Sequence, residues 1–103
     1  MSGGHFDYEQ YKIDQIACDI EQVIRNNDSE ELNEWGDPLG GRFSEKTIEQ
    51  FSVALFILKL AFIYAHRIDW LLSGDDGEES FHSRLQEEID GLDSAFLIER
   101  KNT

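Results

Sequence analysis

SEKTIEQFSVALFILKLAFIYAHRIDWLL, residues Ser44 to Leu72, decides the fold of this 103-residue chain. Its spacing predicts one uninterrupted helix. The Ser44 hydroxyl can accept from a free backbone N–H of the first turn, and Glu45 and Glu49 lie near the positive end of the helix dipole. No Pro or Gly intervenes before Gly74, which is placed to end the helix. At 1.5 Å per residue the rod is about 42 Å long. Between Phe51 and Ala65 only Ser52 and Lys59 are polar. At about 100° per residue, Ser52, Lys59 and His66 share a narrow stripe. Val53, Ile57, Leu60, Tyr64 and Ile68 lie far from that stripe, with Phe51, Leu55, Leu58 and Phe62 between. A helix this apolar has to be buried on several sides. The apolar run falls short of the roughly 20 residues of a membrane span, and Glu49, Lys59, His66, Arg67 and Asp69 bracket or interrupt it. It reads as a core helix, with no membrane partner.

Two further helical patterns flank it. From Phe6 or Asp7 to Asn26, the residues Ile13, Ile16, Ala17, Ile20, Val23 and Ile24 recur at three- and four-residue spacing. From about Glu79 to Ile98, Phe81, Leu85, Ile89, Leu92 and Phe96 do the same, with Leu97 and Ile98 adding apolar surface. Ser80 or Asp76 is placed to cap this last helix. No strand-like alternation appears. The expected fold is all-α: a three-helix bundle in which a long central helix (about 44–72) is packed by helices at about 7–26 and 79–98. Residues 1–103 form one domain, with a flexible leader 1–5 and a tail 100–103.

The irregular stretch 28–43 carries the only Pro and the Gly36, Gly40 and Gly41 backbone breaks. A connection of about 15 residues is long for a compact domain, and long loops are often functional. The plainer reading pins Trp35, Leu39 and Phe43 over the core.

Nine Lys and Arg oppose 22 Asp and Glu, a net charge of −13. Direct nucleic-acid binding is disfavoured, because phosphates are neutralised by clustered cations. An anionic membrane surface is disfavoured likewise. A basic partner protein suits the charge better. The lone Cys18 excludes an internal disulfide, and the N-terminus shows no basic stretch followed by an apolar run, so a cytoplasmic setting is expected.

Three constellations could carry function. Glu30, Glu31, Glu34 and Asp37, then Asp75, Asp76, Glu78 and Glu79, then Glu87, Glu88 and Asp90 could form an acidic binding face. Trp35, Arg42, Arg67 and Trp70 offer cations and rings suited to a nucleotide or other small ligand at an oligomer interface. His66 and Asp69 share a helix face, and with Asp75, Asp76 and His82 could hold a metal for hydrolysis. The calcium-loop pattern is absent, as are nucleophile triads, phosphate-cradling loops and zinc spacings. A solvated acidic turn explains the same residues, so no cofactor is expected.

The opening MSGGHFDY and the stretch RIDWLLSGDDGEESFHSRL resemble short, acidic, uncharacterised proteins encoded by bacteriophages and prophages. The resemblance names no catalytic residue. It implies a phage accessory protein of the host cytoplasm, binding a partner protein and in some cases inhibiting a host factor through a nucleic-acid-like acidic surface. A nucleotide-sequestering oligomer and a metal-dependent hydrolase are the alternatives.

Coverage leads to one more expectation. Two narrow stripes can sheathe one side of the central helix but hardly the side that bears Val53, Phe56, Ile57, Leu60, Ile63 and Tyr64. A homo-oligomer, in the first instance a dimer, is therefore expected.

Overall fold

A computed structural model describes residues 4–101, with side chains through Phe96. The fold is all-α, with α1 (Gln10–Arg25), α2 (Glu45–Leu72) and α3 (Glu78–Lys101). The first and last residues of the expected leader and tail, 1–3 and 102–103, and the side chains of Leu97 and Ile98 lie outside the described residues.

α2 forms as its sequence dictates. Ser44 is extended, and its hydroxyl accepts from Thr47 N at 3.4 Å. At the other end Gly74 turns left-handed, with φ 81°, a conformation glycine adopts without strain. α3 starts differently from expectation. Neither Ser80 nor Asp76 occupies the capping position; Gly77 precedes the first turn, and Ser80 Oγ reaches back to accept from Gly77 N at 3.3 Å.

α1 starts later than the pattern from Phe6 implies. Asp7 and Tyr8 have φ 53° and 61°, left-handed values that a right-handed helix cannot incorporate. Its buried stripe is also narrower than expected. Ala17 is buried and Ile13, Ile20 and Ile24 half-buried, whereas Ile16 and Val23 face solvent.

α1 and α3 each pack on α2, and neither packs on the other. The result is a single layer with α2 in the middle. Its Cα extents are 50 × 33 × 16 Å and its radius of gyration is 16.9 Å, against about 13 Å for a compact domain of this length. The fully buried apolar core is correspondingly small, only Ala17 and Leu55 among the described residues.

The layer has two faces. In front, α1 and α3 flank a shallow groove of about 310 Å³ lined by Asp14, Lys59, Phe62, Ile63, Glu88 and Leu92. Behind, Val53, Ile57, Tyr64 and Leu72 of α2 are exposed. Phe56 and Ile63, which periodicity groups with them, instead turn to α3: Phe56 meets the Phe96 ring edge-on at 5.0 Å, and Ile63 lines the groove with Leu92.

Candidate functional site

Polar side chains that occupy core positions mark both ends of the layer. At the end where α1 begins and α2 finishes, Asp69 is wholly buried. One carboxylate oxygen accepts from Phe6 N at 2.9 Å, the other from Gln10 Nε2 at 3.2 Å. One turn further on, Ser73 Oγ accepts from both Gly4 N and His5 N at 3.1 Å. Gly4 and His5, assigned to a flexible leader, are thus strapped across the end of α2. The strap then makes its left-handed turn at Asp7 and Tyr8 and delivers Gln10, 3% exposed, into the interior.

His66 lies beside this anchor. Its Nδ1 is 3.4 Å from Gln10 Nε2; the amide nitrogen can only donate, so the contact suits the tautomer whose ring proton is on Nε2. The ring stacks on Phe62 at 5.3 Å, with Tyr11 and Trp70 edge-on at 5.6 and 5.8 Å. Burial, then the neighbouring Arg67 charge, lowers its pKa below the ordinary 6.5, against smaller raising effects of Glu88 and Asp69.

On the α3 side, Arg67 is 6% exposed and the Asp76 side chain 3%. Arg67 Nη1 lies 3.7 Å from Asp76 Oδ2, and its Nε 3.4 Å from Glu88 Oε2. Arg84 adds a second cation 3.7 Å from Asp76 Oδ1, and the Ser80 hydroxyl donates to that oxygen at 2.8 Å. These are charge contacts more than hydrogen bonds, since Arg67 Nε and Asp76 Oδ2 have no hydrogen-bond partner. The Arg67 guanidinium also lies 5.2 Å from the Trp70 ring centroid. The cluster ties α2 to the start of α3.

The opposite end holds the 28–43 loop. Asn27, buried at the close of α1, donates to Phe43 O at 3.1 Å and accepts from Phe43 N at 2.8 Å. Gly40 packs against the carbonyls of Asn26, Asn27 and Ser29, where a Cβ would come within 2.6–2.8 Å of oxygen. Above this base the chain doubles back, with Leu39 N donating to Glu31 O at 2.9 Å and a bridge between Leu32 and Pro38. At the apex Asn33 Oδ1 accepts from Trp35 N at 2.9 Å and from Asp37 N at 3.0 Å. Trp35, 77% exposed, stands on this turn beside exposed Leu32. The loop does not plug the core: Trp35, Leu39 and Phe43 are all exposed, and Phe43 only leans on the Phe51 ring at 5.3 Å.

The structure separates residues that the sequence grouped. Arg42 precedes α2, whereas Arg67 lies 23 residues past Ser44, about 35 Å along the rod. Trp35 and Arg42 therefore do not share a pocket with Arg67 and Trp70 within one chain. The acidic residues divide likewise: Glu30, Glu31, Glu34 and Asp37 crowd the loop, Asp75, Glu78 and Glu79 lie at the α2–α3 turn, and Glu87 and Asp90 run along α3. Asp76 and Glu88 are engaged by Arg67. Of the metal candidates, Asp69 holds the strap, His66 faces Gln10, and exposed His82 sits against Phe81. No group of three or more His, Cys, Asp or Glu is arranged to hold a metal among the described residues.

Gln10 and Asn27 were missed by sequence reasoning, although their register was a signal. Both continue the buried stripe of Ile13, Ala17, Ile20 and Ile24 at helical spacing, so each is a polar residue aimed at the core. No family model, curated protein or solved structure matches this chain.

Proposed function

We propose that this protein is an acidic binding module whose 28–43 loop docks on a partner protein. The observation that carries the proposal is Trp35, exposed on a loop whose apex and base are both tied by asparagine side chains. Leaving a large ring in water forgoes burial energy, and a turn that holds it there has already lost the conformational entropy a partner would otherwise have to remove. Tryptophan is also the residue type most enriched among interface anchors. Asp28, Glu30, Glu31, Glu34 and Asp37 surround it, with Arg42 the only cation between 28 and 43. The complement is an apolar pocket rimmed by Lys and Arg. The resemblance to short phage proteins supports a bacterial partner.

The test compares the immobilised chain with Trp35→Ala in bacterial lysate at low and moderate salt. A specific protein held by the native chain, weakened by salt and lost with Trp35→Ala while helical circular dichroism is unchanged, is the expected result. No specific capture at either salt, or equal capture by the variant, refutes the proposal.

A further inference from the structure

The back of α2 is an uncharged strip on a strongly acidic protein. From Gln50 to Leu72 the side of α2 that carries Val53, Ile57, Tyr64 and Leu72 bears no Asp, Glu, Lys or Arg. Ile16 and Val23 of α1, interleaved on their helix with exposed Lys12 and Asp19, adjoin it. They lie about half a turn from Asp14, which faces the front groove, and so on the back flank of their helix. All six apolar side chains are exposed, and those of Ile16, Val53, Ile57 and Leu72 by more than half.

We infer that this face is the interface of a two-fold dimer in which the α2 helices of two copies pack antiparallel. Three observations select a second copy as occupant. The chain exposes 7457 Å², whereas a closed monomer of its 11.9 kDa mass exposes about 5,900 Å². The excess, roughly 1,500 Å², is spread over both faces and the loop, and is large enough to contain the about 800 Å² per partner that a stable interface removes. The uncharged α2 strip suits another like it, and a two-fold axis supplies one at no further demand on sequence. Although its uninterrupted apolar run is short, α2 as a whole is long and apolar enough to cross a membrane; α1 and α3 nevertheless flank it on two sides and hold the buried Asp69 and Arg67 against them, ionisable groups a lone span would have to carry into lipid. Charge favours one direction. A parallel pairing sets the two 28–43 loops side by side, five carboxylates against five, whereas an antiparallel pairing sets each loop against the second copy's α2–α3 turn, where Arg67 and Arg84 offset part of the acidic charge.

Sedimentation equilibrium of the whole chain at 1–100 µM tests this. The expected mass is twice 11.9 kDa, with association unweakened or tightened by salt. Ile57→Glu is expected to raise the dissociation constant about 30-fold or more with helical circular dichroism intact. Val53→Glu, equally exposed, serves as a second variant should the first fail to fold. A monomer throughout the range overturns the inference, as does a dimer indifferent to both substitutions. So does flotation of the protein with neutral phosphatidylcholine vesicles, which would make lipid the occupant. Trp35→Ala is expected to leave the dimer intact, which keeps this inference separable from the docking loop.

Discussion

Replacing Asp69 by Ala removes the acceptor on which the N-terminal strap hangs. The native carboxylate takes one hydrogen bond from Phe6 N and one from Gln10 Nε2 in a wholly buried setting. Hydrogen bonds to a charged group contribute about 1.5–3 kcal/mol each, and stranding a buried donor costs about 1–3 kcal/mol. A ceiling applies, because the strap can detach and rehydrate Phe6 N instead of enduring the loss. The expected destabilisation is therefore about 3 kcal/mol, a substantial part of the roughly 5–15 kcal/mol that holds a domain of this size. That corresponds to a fall in Tm of about 12 °C or more. Asp69→Asn should cost less, about 1–2 kcal/mol, because its amide oxygen can still accept from Phe6 N while the contact to Gln10 loses its charged acceptor. Urea unfolding gives the energies, and hydrogen exchange at Phe6 reports the strap. A loss below about 1 kcal/mol for the Ala variant, with the Phe6 amide still protected, would show that Asp69 is not the anchor.

Arg67→Ala removes one of the two cations 3.7 Å from the buried Asp76 carboxylate, Arg84 and the Ser80 hydroxyl remaining, and a loss of about 3 kcal/mol, the low end for breaking a buried pair, is expected in urea unfolding. Arg67→Met combined with Asp76→Leu should recover most of it. Asn27→Ala cuts both bonds to Phe43 and should cost about 2 kcal/mol, with faster exchange across 28–43 as its signature. Because the folded pKa of His66 lies below its ordinary 6.5, the unfolded chain binds the proton more readily. Its contribution to stability is whole above 6.5 and is lost as pH falls toward the folded value; an NMR titration midpoint at or above 6.5 would contradict the burial described here.

How much of this was legible in the sequence depends on the kind of residue. α2 was readable to its ends, because Ser44, Gly74 and the unbroken run between them act locally. The loop was legible as a loop, but the fate of Trp35 was not. Composition cannot distinguish an aromatic that plugs a core from one held out of it; that is decided by Asn33 and Asn27, side chains that bond to distant or reversed backbone. The site groupings failed for a related reason. Trp35, Arg42, Arg67 and Trp70 fit one ligand chemically, but a straight 28-residue helix holds its two ends about 42 Å apart. His66 and Asp69 do share a face, yet what they serve is the strap, and nothing in their own spacing points to Gly4, His5 and Phe6.

The loop and the back face are separate in the fold, and in the proposed dimer their geometry would let them cooperate. An antiparallel pairing of α2 puts the two Trp35 loops at opposite ends of a long, thin assembly. Two loops on one body cannot both enter one small partner, but they can engage two sites of a repeated or dimeric one. Bivalent engagement of that kind raises apparent affinity by about 10²–10⁴-fold without any new contact. Ile57→Glu should then weaken retention on a surface dense in the partner while leaving the affinity of a single loop for a single site unchanged. Trp35→Ala should abolish both. Equal loss in the two formats with Ile57→Glu would mean that the back face touches the partner directly, and that the open side of α2 belongs to the same binding surface as the loop.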